Sequence, residues 1–225
     1  MRKTIYNKYD KHLIRDLPQV SFPGRIDVIT SKAEADKAVD FLFSQTLLGI
    51  DTETRPSFKK GKQNKVALLQ ISTKHVCFLF RLNIIGLTPS LIRLLEDETI
   101  KKVGLSLHDD IHSLTRLLVN SSTKLKIGSF VDLQNLVKEI GIEDMSLQKL
   151  YANFFHQKIS KRQQLSNWES DVLTEKQKTY AAIDAWACIN IYEEFNRLKQ
   201  TGDYQLVIQE ENIEENVQES ISKER

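Results

Sequence analysis

The sequence predicts an α/β fold in which helices flank a mixed sheet, and three observations carry that expectation. Two nearly continuous apolar runs, Val66–Ser72 and His75–Phe80, are separated by a tight turn and read as strands covered on both faces. A helical stripe of Ala35, Ala38, Val39, Leu42 and Phe43 sits between two strand-like segments. From Ile100 onward a strand is followed by a helix, the alternation typical of layered α/β architecture.

Taken in order, residues 1–22 are mixed, basic and bounded by Pro18 and Pro23, and are expected to form an arm leading into the domain. Arg25–Ile29 predicts a short strand. Ser31 with Glu34 three residues later has the spacing of a capping box and opens the helix described above. Leu47–Thr54 predicts the next strand, and Arg55–Lys65, with Pro56, Gly61 and four lysines, a basic loop. The two apolar runs then form an antiparallel hairpin beside that strand. A short helix after Pro89, a strand over 100–105 and a helix over 107–119 follow. From Asp132 only helices are expected, at about 132–140, 146–155 and 174–199; the long last one is capped by Thr174 and Gln177. Five strands are expected in all. The domain is placed at 23–203, and residues 204–225 form a polar C-terminal tail expected to be disordered.

Bulk properties narrow the function. With 225 residues, 40% hydrophobic and 28% charged, the chain can bury one core of ordinary size. A formal net charge of +2 excludes a polycation, so any attraction to nucleic acid must come from local patches. Cys77 and Cys188 lie in apolar surroundings, which predicts buried reduced thiols and no cysteine metal site. The N-terminus lacks the apolar core of a signal peptide, and no apolar run is long enough to span a bilayer. A cytoplasmic setting is expected, or a nuclear one in a eukaryote, with no membrane partner.

Two acids on the second strand, Asp51 and Glu53, are spaced to point to the same face, with Cα atoms about 6 to 7 Å apart. That pair alone fits a solvated face as well as a cation site. Asp110, on the helix after Leu107, lies on the flank of the stripe Leu107, Ile111, Leu114 and Leu118, whereas Asp109 lies opposite it. Asp184 falls inside the buried stripe Tyr180, Ala187, Cys188, Ile191, Phe195 and Leu198 of the last helix, with no basic residue on that face. A buried ionised carboxylate needs a cation or strong donors, because leaving it unpaired costs several kcal/mol or more. Four acids from three elements, without cysteine or convincing histidine ligands, suit hard cations such as Mg²⁺ or Mn²⁺.

Three motifs, Gly49-Ile50-Asp51-Thr52-Glu53, Lys102-Val103-Gly104 leading to Asp110-Ile111-His112-Ser113-Leu114, and Tyr180-Ala181-Ala182-Ile183-Asp184-Ala185, occur in this order. Together with Leu165-Ser166-Asn167-Trp168-Glu169 they resemble the DEDD superfamily of 3′–5′ exonucleases, tyrosine subclass, the group of ribonuclease D and the Werner exonuclease domain. The histidine of the sister subclass is replaced here by Thr179. The resemblance spans about residues 25–197. It implies a ribonuclease-H-like mixed five-stranded sheet with helices on both faces. It also implies two divalent cations, Mg²⁺ or Mn²⁺, held by Asp51, Glu53, Asp110 and Asp184, with Tyr180 orienting the attacking water. The expected activity is metal-dependent hydrolysis of terminal phosphodiesters of DNA, RNA or both, releasing nucleoside 5′-monophosphates from single-stranded 3′ ends. Thr52, Thr54, Arg55, Lys59, Lys60 and Lys158 are expected to contact substrate, with Lys161 and Arg162 as further backbone contacts. The competing expectation is a catalytically silent nucleic-acid-binding domain of the same fold, which a missing carboxylate would have suggested; none is missing.

Overall fold

The computed structural model describes residues 2–57, 64–106, 108–118 and 125–209, with the side chains of 108–110 excepted. In chain order the elements are β1 (Lys3–Tyr6), α1 (Lys11–Ile14), β2 (Arg25–Ile29), α2 (Lys32–Leu42), β3 (Leu47–Thr54), β4 (Val66–Ser72), β5 (Val76–Phe80), α3 (Leu82–Ile85) and α4 (Pro89–Glu96). They continue with β6 (Lys101–Gly104), α5 (His108–Thr115), β7 (Phe130–Asp132), α6 (Leu133–Leu136) and a 3₁₀ turn over Val137–Ile140. The last three are α7 (Leu147–Phe155), α8 (Glu175–Thr201) and β8 (Tyr204–Val207).

The main sheet has the order β2-β5-β4-β3-β6-β7. The two hairpin contacts, β3 with β4 and β4 with β5, are antiparallel, while β2, β6 and β7 join parallel to their neighbours. β3 is central, and β4 beside it is buried along its whole length, as its nearly continuous apolar run requires. Both predicted capping boxes form, Ser31 with Glu34 and Thr174 with Gln177.

Helices cover both faces. On one face, Leu48 and Ile50 of β3 join Ile71, Phe78 and Phe80 in a core with Ala35, Val39 and Leu42 of α2 and Leu91 and Leu95 of α4. On the other, Leu68, Cys77 and Leu79 pack against Ala181 and Ala182 of α8. A third cluster joins Val103, Leu150 and Phe154 to Ile183, Cys188 and Ile191, so α8 is packed along its length.

Three differences from the sequence expectation have simple causes. The sheet has six strands, because Phe130–Asp132 adds β7 beside β6 in a stretch where no strand was expected; three residues carry no periodicity to read. Residues 2–22, expected as an arm leading into the domain, pack into the fold. β1 pairs parallel with β8 from Lys3↔Tyr204 to Tyr6↔Val207, and Ile5, Tyr9, Ile14 and Val20 are buried. The same pairing makes 204–207, expected within the tail, a strand of the fold; residues 210–225 lie outside the described residues. Both cysteines are free and buried, as expected. No helix among the described residues is long and apolar enough to cross a membrane.

Candidate active site

Strand alternation sends Gly49, Asp51 and Glu53 of β3 toward α8, and Leu48 and Ile50 the other way. Gly49 lets the helix come close. A Cβ there would meet the Ala185 carbonyl oxygen at 2.0 Å, a distance no real side chain tolerates. Glycine inside a strand marks such a close backbone approach, and the small Ala185 matches it from the helix side.

This approach sets Asp184 beside the two strand acids. One carboxylate oxygen each from Asp51, Glu53 and Asp184 lie within 4.8 Å of one another, with Asp51 half-buried and the other two buried. Oxygen donors this close, with no thiol or imidazole among them, fit a hard divalent cation. Burial pushes the Asp184 carboxyl up to about 7, while a hydrogen bond from Tyr180 and the positive charge of Lys161 act against the shift. At neutral pH this group is thus only partly ionised, and a cation beside it would favour its charged form.

Tyr180 lies one helical turn before Asp184, so its phenol reaches the carboxylate. Burial, reinforced by the charges of Asp184, Glu53 and Asp51, pushes that phenol far above its ordinary value. Its ring packs at 5.9 Å on Trp168, which is fully buried. The loop carrying Trp168 is tied down twice. Gln177 Nε2 donates to the Asn167 carbonyl at 3.2 Å, and the buried Arg81 guanidinium donates to the carbonyls of Ser170 and Asp171.

The cluster opens into a cleft of about 350 Å³. Its walls are Thr52 of β3, Leu105 after β6, Met145 and Leu147 at the start of α7, and Ile159, Lys161 and Gln164 from the segment before α8. Of the sequence-predicted residues, Asp51, Glu53, Asp184, Tyr180 and Thr52 thus meet in one place. The backbone of Asp110 lies in α5, but its side chain lies outside the described residues, as do Lys59 and Lys60. Arg55 sits outside the cleft lining, in an ion pair of 3.2 Å with Glu169, and Thr54 is half-buried at the end of β3.

Lys158 differs from expectation. Its ammonium donates to the Arg15 carbonyl, and its backbone bridges to Gln19, so it fastens the N-terminal segment instead of lining the cleft. Lys161 is the lysine of this segment that lines the cleft. The alternation of an extended segment holds the signal for this, but which of two nearby lysines faces inward depends on the long-range bridge to Gln19.

Residues 26–199 match the family model described as 3′–5′ exonuclease. The chain is 32% identical over 216 residues to the mouse bifunctional 3′–5′ exonuclease/ATP-dependent helicase WRN, covering 90% of this chain and 15% of that protein. It is 31% identical over 194 residues to an Arabidopsis thaliana 3′–5′ exonuclease, covering 80% of this chain and 66% of that one. It thus spans less than two thirds of each of these relatives. Among solved structures, the Aedes aegypti Nibbler EXO domain superposes with a TM-score of 0.71 at 21% identity, covering 80% of this chain and 91% of that one. Escherichia coli RNase D superposes with a TM-score of 0.66 at 17% identity, covering 78% and 46%. The ribonuclease-H-like fold expected from the sequence is the fold of these neighbours.

Proposed function

The chain belongs to the 3′–5′ exonuclease family, and from that membership we propose that it shortens a DNA or RNA strand from its 3′ end. Each step hydrolyses the terminal phosphodiester and releases a nucleoside 5′-monophosphate, with two divalent cations, Mg²⁺ or Mn²⁺, as cofactors. The observation that carries this reading is the convergence of Asp51, Glu53 and Asp184 within 4.8 Å, with the Tyr180 phenol hydrogen-bonded to Asp184.

The residues fit the cofactor. Asp51, Glu53 and Asp184 would hold it, and Asp110, from the helix that follows β6, is the fourth ligand in this reading. When bound, the cations supply the positive charge that neutralises the phosphodiester and lowers the pKa of water. The protein supplies the rest. Tyr180, its phenol pushed up, stays protonated throughout the physiological range, so with its proton given to Asp184 its oxygen can accept from a water and orient it, and it does not act as a base. Its donation to Asp184 fixes the direction of the hydroxyl, and Trp168 fixes the ring. Lys161 offers a charge to the phosphate from the opposite wall, while Leu105, Met145 and Leu147 give the terminal nucleoside an apolar seat.

Matched DNA and RNA oligonucleotides with a free or a 3′-phosphate-blocked end test the reading. Stepwise loss of nucleotides from the free 3′ end supports it, and the ratio of the two rates assigns the sugar preference. Cleavage at internal positions of blocked strands would count against an exonuclease.

A further inference from the structure

A second hollow of about 290 Å³ adjoins the catalytic cleft, and the two share Ile159 and Tyr180. Between them runs the segment 159–164, whose side chains divide. Lys161 and Gln164 face the cleft, whereas Ser160, Arg162 and Gln163 face the hollow. The other wall is the first turns of α8, where Lys176 and Thr179 lie on the same side as Tyr180. Gln19 closes one end, held there by the bridge to Lys158 and the hydrogen bond from Val20 N to the Lys158 carbonyl at 3.1 Å.

The hollow is basic in effect. Glu175, its acid, is matched by Lys178 at 2.8 Å, while Arg162 and Lys176 are exposed and make no ion pair among the described residues. Two unmatched cations, with the neutral polar groups of Gln19, Gln163 and Thr179, suit a phosphodiester and the edge of a base. The volume is at the low end of pockets that hold small ligands, on the order of 300 Å³. An occupant that extends past Ile159 and Tyr180, the residues the two spaces share, enters the cleft of the carboxylate cluster.

We propose that this hollow is the subsite for the nucleotide just upstream of the scissile bond: the strand crosses the Ile159–Tyr180 saddle, with Arg162 and Lys176 gripping the upstream phosphodiester. The inference rests on the exonuclease reading of the cleft and adds a requirement on length. A substrate with only one nucleoside reaches the cleft alone, whereas a strand fills both spaces.

The test compares an eight-nucleotide single strand with the p-nitrophenyl ester of thymidine 5′-monophosphate, which has no upstream nucleotide. Arg162→Ala/Lys176→Ala, and separately Arg162→Glu, should lower the ratio of kcat/KM for the strand to kcat/KM for the ester by tenfold or more, mainly through KM. A ratio unchanged within twofold overturns the subsite. If the wild type turns over neither compound, the exonuclease reading fails by itself. The hollow is then tested by binding of a fluorescent eight-nucleotide strand in an Asp184→Asn background with Mg²⁺. A tenfold rise in Kd on adding the double substitution upholds the hollow as a strand site, and an unchanged Kd overturns it.

Discussion

The carbonyl oxygen of Ala185 occupies the place where a side chain on Gly49 would begin, with 2.0 Å between that oxygen and an added Cβ. This contact couples the central strand to the long C-terminal helix at the level of the acids. Gly49 stands two residues before Asp51, and Ala185 one residue after Asp184. The spacing of the carboxylates is therefore a consequence of how closely two backbones approach.

Gly49→Ala should force strand and helix apart. Because the obstacle is backbone, no rotamer relieves it, and a loss of about 1–3 kcal/mol or more is expected. Urea denaturation measures that loss. Activity should fall further than the folded fraction does, since the separation of Asp51 from Asp184 changes as well.

Asp184→Asn should stabilise the metal-free protein while abolishing its activity. The carboxyl of Asp184 is pushed up to about 7, so the native state binds more protons than the unfolded state between about pH 4 and 7. Stability from this group is thus fully present below about pH 4 and lost as pH rises through about 7. An amide removes that loss. Thermal melts at pH 8 in chelator should show a higher Tm for the variant, and adding Mn²⁺ should raise the Tm of wild type by more than that of the variant. A lower Tm in chelator would contradict this account of Asp184.

The same linkage predicts how metal affinity depends on pH. Below about pH 7 a cation must displace the proton on Asp184, so affinity should fall by about tenfold per pH unit if one proton is released. Above pH 7 the dependence should flatten. Calorimetric Mn²⁺ titrations in buffers of differing ionisation enthalpy count the protons directly. An affinity independent of pH between 5.5 and 7 would rule out Asp184 as a ligand.

Much of this arrangement was legible in the sequence. The same-face pair Asp51 and Glu53, the inward Asp184, the tyrosine one turn before it and both capping boxes follow from helix and strand periodicity, which acts over a few residues. What was not legible depends on distant contacts. β1 and β8 are four residues each and pair with one another across nearly the length of the chain, so neither carries a local signal. Lys158 and Lys161 look alike in the sequence, and the bridge from Gln19 decides which of them lines the cleft. Gly49 stood within a recognised motif, but its role needs the position of Ala185.

Tyr180→Phe isolates the phenol. The ring keeps its packing on Trp168 at 5.9 Å, so stability should change little. Loss of the hydrogen bond to Asp184 should lower kcat by roughly tenfold to a hundredfold, the scale of one charge-assisted hydrogen bond. KM should remain close to that of wild type. A variant with unaltered kcat would remove Tyr180 from the chemistry.

Exchanging the two lysines separates fastening from function. Lys161→Ala should raise KM or lower kcat for a strand without loss of stability, because its side chain is exposed and lines the cleft. Lys158→Ala should leave turnover near wild type and lower stability by up to about 1 kcal/mol, through loss of its bond to the Arg15 carbonyl. Steady-state kinetics paired with denaturation curves read both outcomes.

The central claim is that Asp51, Glu53 and Asp184 hold the divalent cations that drive cleavage. It is tested most directly by following a 5′-labelled single strand in protein stripped of metal by chelator and then titrated with Mg²⁺ or Mn²⁺. The account predicts no shortening in chelator and, on titration, a ladder descending one nucleotide at a time from the 3′ end. Shortening at an undiminished rate in excess chelator would contradict it.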